Sequence, residues 1–256
     1  MTAASEDPAA FYTAGYSLTD HDEGMKMGRW RALGARSKAA HARSLCASAG
    51  FTPSTVVEIG CGDGSLLLEL AAVWSSARFD GFELSPPAIE IARGRGIPRV
   101  GRLEAYDGAV VPAEDGAYDL VVLSHVLEHV PDPAPLLAEA ARVARFVLVE
   151  VPLEGNRSAT RPAKRAEAAR IGHLHAFDRA AVRALVAGGG LRTVAELTDP
   201  LPRAHHAFFA SSAAARAAAT AKWAVRRTIW RVAPDGGARW FTLHYAALAK
   251  GPRNNC

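Results

Sequence analysis

Apolar and polar positions alternate along the middle of the chain in blocks that predict strands and helices in turn. Apolar runs rich in β-branched and aromatic residues predict strands, and stretches with apolar positions three or four apart predict helices. This order predicts a parallel sheet that is covered by helices on both faces. The predicted strands cover residues 55–60, 78–84, 100–106, 118–124 and 145–152, and the helices between them cover 65–74, 86–95 and 134–144.

The segments on either side of this alternating region complete the predicted architecture. Residues 21–49 have helical periodicity and end at Gly50, so we predict a cap of helices over residues 1–50 and one α/β domain over residues 51–256. After residue 152 the pattern is less regular. It predicts a polar connection at 154–170, a helix at 178–188, a strand at about 191–198, a helical lid insert at about 205–232 and a last strand at 239–250.

Composition agrees with one globular domain. A chain of 256 residues with 49% apolar content can bury one substantial core, but not the cores of two full domains. The net charge of +4 comes from arginines spread along the whole chain, which indicates a generally basic surface, although an anionic partner stays open. Three scattered cysteines argue against a disulfide framework or a zinc site. No stretch predicts a signal peptide or a membrane span, so we expect a cytoplasmic protein.

The stretch VVEIGCGDG, at residues 56–64, joins a predicted strand to a predicted helix through three glycines. Such a turn brings backbone N–H groups and the positive end of a helix to a ligand. A dinucleotide site requires the spacing G-x-G-x-x-G, whereas the glycines here are Gly60, Gly62 and Gly64. Glu58 would repel a pyrophosphate and attract an ammonium or sulfonium group. The stretch therefore favours a zwitterionic, cationic cofactor over a dinucleotide.

A second acidic residue lies at the end of the next predicted strand. Glu83 follows Gly60 by 23 residues, and at this position a doubly wound sheet presents a carboxylate to a ribose diol. Two hydroxyls that donate to one ionised carboxylate form charge-assisted hydrogen bonds. Together with the glycine turn, Glu83 predicts a cofactor that contains a ribose.

With these motifs the sequence resembles the class I S-adenosylmethionine-dependent methyltransferases, in their small-molecule branch. Residues 106–133 and 172–194 are also similar to that superfamily, and the resemblance covers roughly residues 50–200. It implies a Rossmann-like, mainly parallel sheet of seven strands, in which the last strand is antiparallel. It also implies S-adenosylmethionine as the cofactor. It says little about the methyl acceptor, because this fold serves many acceptors.

The resemblance implies which residues hold the methionine part of the cofactor. Glu58 and the backbone of the glycine turn would contact it, and the residues of that turn are Gly60, Cys61, Gly62 and Gly64.

The resemblance also implies the contacts of the adenosine part and of the sulfonium. Glu83 would bind the ribose hydroxyls, and Leu84 would pack on the adenine. Asp107 would accept a hydrogen bond from the adenine amino group, and Tyr106 stands before it where the family commonly has glycine. Ser124, at the end of the fourth strand, would lie beside the sulfonium.

Four histidines are candidates for a catalytic base. The methyl group of a sulfonium is already activated, so the protein has to supply alignment and, for a hydroxyl acceptor, a base. His125, Glu128 and His129 are three and four residues apart, so they share one face of a helical turn. His173 and His175 follow the long polar connection. The alternative for each histidine is a capping role or a role at the edge of the core.

The same side chains raise a second hypothesis, a divalent metal that polarises a diol. The small-RNA 3′-terminal 2′-O-methyltransferases are similar here, with an acid-x-x-Glu-His string and a downstream histidine. In this sequence His125 replaces the first acid, and no RNA-binding module is evident. We therefore assign no metal ligand from the sequence and regard nucleic acid as a disfavoured partner.

Segments at the two ends of the chain are predicted to cover the methyl acceptor. The alternatives are a plain cap helix at the N-terminal end and a packing helix in the insert 205–232. The basic connection at 157–170 is predicted to be a solvated, mobile flap rather than a phosphate clamp. The insert mixes aromatic and basic residues, which would also suit a second subunit or a membrane surface. The candidate pocket residues of the N-terminal segment are Tyr12, Tyr16, Arg29, Trp30 and Lys38.

We conclude from the sequence that the chain is an S-adenosylmethionine-dependent methyltransferase. The predicted acceptor is a small metabolite or natural-product intermediate that is methylated on oxygen, because the histidines suit a hydroxyl that must lose a proton. An N-methyltransferase of a small amine, a metal-dependent sugar or 2′-O-methyltransferase and a non-catalytic cofactor-binding partner stay as alternatives. An NAD-dependent oxidoreductase is disfavoured because we find no proton relay for it. A homodimer also stays open.

Overall fold

Seven strands form one sheet in the computed structural model, which describes residues 21–251 together with Thr13 and Tyr16. The strands are β1 (Thr55–Ile59), β2 (Arg78–Glu83), β3 (Val100–Ala105), β4 (Tyr118–Ser124), β5 (Ala144–Pro152), β6 (Arg192–Asp199) and β7 (His244–Lys250). Their order is β3-β2-β1-β4-β5-β7-β6. Every neighbouring pair is parallel except β5 with β7 and β6 with β7. Only β7 therefore runs against the others, as predicted.

Helices connect the strands and cover the sheet. In the described part of the chain they are α1 (His21–Ser48), α2 (Ser65–Val73), α3 (Pro86–Arg93), α4 (Pro133–Val143), α5 (Pro162–Arg170), α6 (Arg179–Gly188), α7 (Arg203–Ala207), α8 (Ala213–Val232) and α9 (Pro234–Trp240). A single 3₁₀ turn, Leu127–His129, follows β4. None of these helices combines the length and the apolarity that crossing a lipid bilayer requires.

The core has two halves, one on each face of the sheet. Successive strand residues point to opposite faces, so Val56 joins one half and Val57 the other. Helices α1, α2 and α3 supply side chains to the first half, and α4 and α6 supply side chains to the second. This arrangement confirms the covered parallel sheet that the alternating pattern predicts and the Rossmann-like fold class that the resemblance implies.

The ends of the chain differ in detail from the sequence prediction. Residues 21–48 form one continuous helix, α1, whose small side chains such as Ala39 and Ala42 enter the first half of the core. The boundary at residue 50 thus separates two segments that share a core, and the division into domains stays a prediction. Tyr12 lies outside the described residues.

The C-terminal half contains more helix than the pattern predicts. The polar connection at 154–170 ends in helix α5, and the insert extends beyond residue 232 through α9. Consequently the last strand begins at His244 rather than at residue 239. The sequence pattern missed this because Trp240, Phe241 and Leu243 continue the apolar run into the strand, although the helix ends at Trp240.

The centre of the sheet offers a test of the packing. Leu120 is fully buried in β4, so we expect Leu120→Ala to lower the free energy of unfolding by about 2–5 kcal/mol. Leu174→Ala is the matched control, because Leu174 is 52% exposed. Urea unfolding monitored by circular dichroism measures both variants, and equal stability of the two would contradict this account of the core.

Candidate functional site

The carboxyl ends of the parallel strands meet at one edge of the sheet, and the predicted site residues lie there. Strand order reverses between β1 and β4, because β2 and β3 lie on one side and β5 on the other. Ligands in open α/β sheets bind in the crevice outside this point. Two adjoining cavities lie along the edge. Tyr16, Gly60 and His125 line both of them.

The glycine turn after β1 has a backbone that other residues cannot adopt without strain. Gly60, Gly62 and Gly64 have φ angles of 75°, 52° and 73°, all in the left-handed region. A Cβ atom on Gly60 would collide with Val126, and one on Gly62 would collide with the Tyr16 hydroxyl. Helix α2 begins directly after the turn. The turn therefore presents backbone and a helix N-terminus to the crevice.

Glu58 is a buried carboxylate without a protein partner at one oxygen. Its side chain lines the larger cavity and is 3% exposed as a residue. Oε2 accepts no hydrogen bond from any residue that the structure describes. Burial raises the pKa of Glu58 well above its usual range, and the nearby Lys38 opposes this shift. An unsatisfied acidic oxygen of this kind fits an ammonium group.

Glu83 ends β2 and closes the glycine turn. Its carboxylate accepts hydrogen bonds from the backbone N–H groups of Gly62 at 2.9 Å, Leu84 at 2.8 Å and Ser85 at 3.1 Å. Burial raises the pKa of Glu83, whereas these N–H groups act in the opposite direction. The three donors fix the carboxylate in the smaller cavity, where its remaining lone pairs can accept from a diol.

The smaller cavity has a volume of about 370 Å³ and combines polar and apolar walls. Leu84, Tyr106 and Asp107 line it, together with Leu136. The Asp107 carboxylate is exposed and accepts hydrogen bonds from the N–H groups of Ala109 and Val110, which lower its pKa. The cavity thus offers an apolar surface, with acidic groups among its polar atoms. This suits a purine and its ribose.

The larger cavity has a volume of about 460 Å³ and continues from the glycine turn toward α1 and β7. Ser124 ends β4 at its wall, and its buried Oγ has no hydrogen-bond partner within the described residues. Cys61 also lines this cavity, and burial raises the pKa of its thiol. Trp30 and Lys38 of α1 line it too. The N-terminal helix therefore forms part of the wall of this cavity.

The structure brings three of the four candidate histidines to these cavities. His125 lines both cavities, His129 the smaller one and His173 the larger one. His175 lines neither: its Nε2 lies 2.8 Å from the carbonyl oxygen of Val130. This hydrogen bond gives His175 a structural role, because it joins the segment of His175 to the residue that follows the 3₁₀ turn.

His125 has a left-handed backbone, with a φ of 58°. Its backbone N–H donates a hydrogen bond to the backbone carbonyl oxygen of Glu150, at 2.8 Å. Burial, together with Lys38 and His244, lowers the pKa of His125 well below its usual range, so the imidazole is neutral. A non-glycine residue in this conformation at a crevice is typical of a functional position.

His129 and His173 pack edge to face next to Glu128, with ring centroids 4.8 Å apart. One ligand atom from each of these three residues lies within 4.8 Å of the others. Glu128 is fully buried, and burial raises its pKa. His173 Nδ1 lies 2.7 Å from a Glu154 oxygen; burial opposes charge on His173, but this hydrogen bond raises its pKa. The cluster could hold a divalent cation.

Sequence reasoning missed four residues that complete the larger cavity and its support. His205 and His244 line the cavity, and Glu150 and His41 lie behind it. His41 Nδ1 and His244 Nδ1 lie 3.3 and 3.2 Å from the same oxygen of Glu150. Burial lowers the pKa of His205 to about 4. Of these four residues, only His244 and Glu150 give a signal in the sequence, because each is a polar residue in a largely apolar strand.

A family model for a methyltransferase domain matches residues 29–196, which is more than half of the chain. The chain belongs to this methyltransferase domain family. The family confirms the class I S-adenosylmethionine-dependent superfamily that the motifs resemble, and with it S-adenosylmethionine as the cofactor. The unpartnered oxygen of Glu58 and the glycine turn, which a Cβ atom would obstruct, fit that cofactor.

The matches to curated relatives cover only part of this chain. It is 36% identical over 96 residues to a ubiquinone biosynthesis O-methyltransferase of Thiobacillus denitrificans, a match that covers 35% of this chain and 39% of that protein. It is 31% identical over 96 residues to ajmaline N-methyltransferase of Rauvolfia serpentina, covering 36% of this chain and 33% of that protein. The matched region spans only about a third of the length of these relatives.

A solved structure shares the fold over most of the chain. The structure of geranyl diphosphate C-methyltransferase from Streptomyces coelicolor A3(2), in complex with Mg²⁺, geranyl diphosphate and S-adenosylhomocysteine, has a TM-score of 0.60 to this chain and 17% sequence identity. The match covers 83% of this chain and 80% of that one. This likeness confirms the fold class.

The buried pair of His41 and Glu150 makes stability depend on pH. Burial opposes charge on His41, but Asp199 and Glu150 raise its pKa from 6.5 to about 9. A raised folded-state pKa contributes stability below about pH 6.5 that is lost as the pH rises through 9. Over this pH interval we expect the unfolding free energy of the wild type to fall by roughly 3 kcal/mol more than that of the His41→Gln variant. Urea unfolding of both proteins at several pH values measures the difference, and parallel pH profiles would contradict it.

Proposed function

We propose that this protein transfers a methyl group from S-adenosylmethionine to a hydroxyl oxygen of a small molecule, and that a histidine takes the hydroxyl proton. The observation that carries the proposal is that two cavities adjoin and share lining residues: one suits an adenosine, and imidazoles line the other. His125 stands at their junction. A cofactor and an acceptor bound in these cavities would meet there.

We assign the cofactor contacts to the residues around the glycine turn. When bound, the cofactor supplies an activated methyl group on a sulfonium. Glu58 and Lys38 give the larger cavity one acidic and one basic side chain, which would face the ammonium and the carboxylate of a methionine moiety. Glu83 would accept from the ribose hydroxyls, and Asp107 would accept from the adenine amino group. Burial of the cavity walls would exclude water from the reacting atoms.

Oxygen is the favoured acceptor atom because of the neutral imidazoles. A hydroxyl must lose its proton during methyl transfer, and a neutral imidazole can accept it. Burial lowers the pKa values of His125 and His129, which keeps both rings in the basic form. The named relatives include an O- and an N-methyltransferase, and the solved structure is a C-methyltransferase. The histidines are what favour oxygen here.

Metal assistance is a second candidate, and the cluster of Glu128, His129 and His173 favours it. Neither carboxyl oxygen of Glu128 accepts an aligned hydrogen bond from the described residues, although His125 Nδ1 lies 3.1 Å from Oε1. A divalent cation there would polarise an acceptor hydroxyl.

The natural-product substrate, the homodimer, the cytoplasmic location and the disfavoured nucleic-acid partner stay predictions.

Cofactor binding is tested by calorimetric titration with S-adenosylhomocysteine, with NAD as the negative control. We expect Glu83→Gln to weaken binding at least about tenfold, because it replaces an ionised acceptor of two hydroxyls by a neutral amide. Glu90→Gln, an exposed carboxylate at 70% side-chain exposure, should bind like the wild type. Binding of NAD, or unchanged affinity in Glu83→Gln, would overturn this cofactor assignment.

Acceptor chemistry is tested by transfer of a radiolabelled methyl group to a panel of phenols, sugars and small amines. We expect transfer to hydroxyl compounds and unchanged rates after dialysis against EDTA. Loss of transfer with EDTA and its recovery with Mg²⁺ would instead support the metal-assisted candidate. Transfer to amines alone would contradict oxygen as the acceptor atom.

A further inference from the structure

We propose that His244 is the catalytic base and that Glu150 is the residue that positions its ring. This inference rests on the proposed methyl transfer to oxygen and deepens it. Neither residue is among the candidates that the sequence motifs indicate.

His244 lies at the end of the sheet where the acceptor would be. It is the first residue of β7, and because β7 is antiparallel to β5, its start reaches the edge at which β4 and β5 end. Its cross-strand partner is Pro152, and Glu150 is the neighbour of Ser124 across β4 and β5. The His244 side chain lines the larger cavity and is 14% exposed.

The contact with Glu150 determines which nitrogen of His244 carries the proton. Nδ1 lies 3.2 Å from Oε1 of Glu150. An ionised carboxylate only accepts hydrogen bonds, so Nδ1 is the protonated nitrogen and Nε2 carries the lone pair. Nε2 makes no hydrogen bond to the residues described in the structure. It can therefore accept a proton from a hydroxyl in the cavity.

Glu150 is suited to this role because its charge is balanced behind the cavity. It is fully buried, and His41 Nδ1 lies 3.3 Å from the same oxygen that faces His244. The other nitrogen of His41 lies 3.0 Å from Asp199. Burial opposes ionisation, but the hydrogen bonds from His244 and His41 hold the pKa of Glu150 well below its usual range. The carboxylate can thus orient His244 and stabilise the imidazolium that forms.

His125, which lines both cavities, is less suited. Both nitrogens of His125 face protein groups: Nε2 lies 3.2 Å from His244 Nδ1, and Nδ1 lies 3.1 Å from Glu128. His173 makes a pair with Glu154 that is comparable to the pair of His244 and Glu150. His173 is therefore the rival base in the experiment.

The proposed step moves one proton and one methyl group. The acceptor O–H bond breaks and its proton goes to Nε2 of His244, while the oxygen forms a bond to the methyl carbon. The bond between that carbon and sulfur breaks, and its electron pair stays on sulfur, which gives the neutral thioether of S-adenosylhomocysteine. His244 ends as an imidazolium beside Glu150 and returns the proton to solvent.

The tautomer of His244 can be measured without any acceptor. A long-range ¹H–¹⁵N spectrum of the protein with S-adenosylhomocysteine separates Nδ1–H from Nε2–H imidazoles, and His244→Gln identifies the signal. We expect His244 to be the Nδ1–H form and Glu150→Gln to alter its signal, whereas His206→Gln, outside both cavities, should leave it unchanged. An Nε2–H tautomer would overturn the proposal.

The role as a base is measured with two phenols of different acidity, at about pH 8. Unsubstituted phenol is protonated there, whereas 4-nitrophenol is largely ionised and needs no base. We expect His244→Gln to reduce transfer to phenol by roughly 10²–10⁴, to reduce transfer to 4-nitrophenol far less and to retain affinity for S-adenosylhomocysteine. Glu150→Gln should lower kcat with phenol while its KM changes little.

Each outcome of these measurements decides one hypothesis. Equal losses with both phenols, or a selective loss in His173→Gln instead, would overturn the assignment to His244. If the wild type methylates neither phenol, the tautomer spectrum tests the proposal, because it shows whether Nδ1 or Nε2 of His244 carries the proton. Failure of the wild type to bind S-adenosylhomocysteine would contradict the proposed function, and the spectrum of the free protein would still test the pairing of His244 with Glu150.

Discussion

The buried negative charge of Glu150 organises the wall of the larger cavity. A carboxylate inside a core costs several kcal/mol unless donors and cations surround it. His41 of α1 and His244 of β7 meet it from two directions, and Asp199 at the end of β6 binds the far nitrogen of His41. One charge thus connects the N-terminal helix to three strands. The position of α1 over the crevice follows from this connection as much as from its apolar contacts.

The cofactor side is held together differently, by backbone geometry and one ion cluster. The glycine turn needs left-handed φ angles, and the side chain of Asp63 within it is fixed by Arg31 at 2.7 Å and by Arg95 at 2.7 Å. The hydroxyl of Ser65 donates to the same carboxylate. Because Arg31 belongs to α1, the helix that supplies His41 to Glu150 also braces the cofactor turn. Both halves of the site therefore depend on one helix.

The sequence was informative where the chemistry is local. The turn from Glu58 to Gly64 and the acid Glu83 lie in two consecutive strand ends, so spacing alone brought them together, and the strands of the alternating region were predicted within one or two residues. The contacts of Glu150 could not be predicted in this way. His41 is 109 residues before it and His244 is 94 residues after it, and each is a single polar residue in an otherwise apolar or mixed element. His175 shows that closeness in sequence can also mislead. It is two residues from His173, which suggested a common role, but His173 pairs with Glu154 and His175 with the carbonyl oxygen of Val130.

The antiparallel strand has a consequence for how this site can change. Strand β7 is held between β5 and β6, so its register is fixed on both sides by hydrogen bonds. The whole insert from α7 to α9 enters and leaves the sheet between the last two strands, immediately before His244. A change in the length of the insert would therefore leave His244 in place, because the neighbouring strands hold β7 on both sides. If the insert covers the acceptor and His244 is the base, as proposed, then acceptor selection and proton transfer come from adjacent segments of the chain, and only acceptor selection depends on the insert.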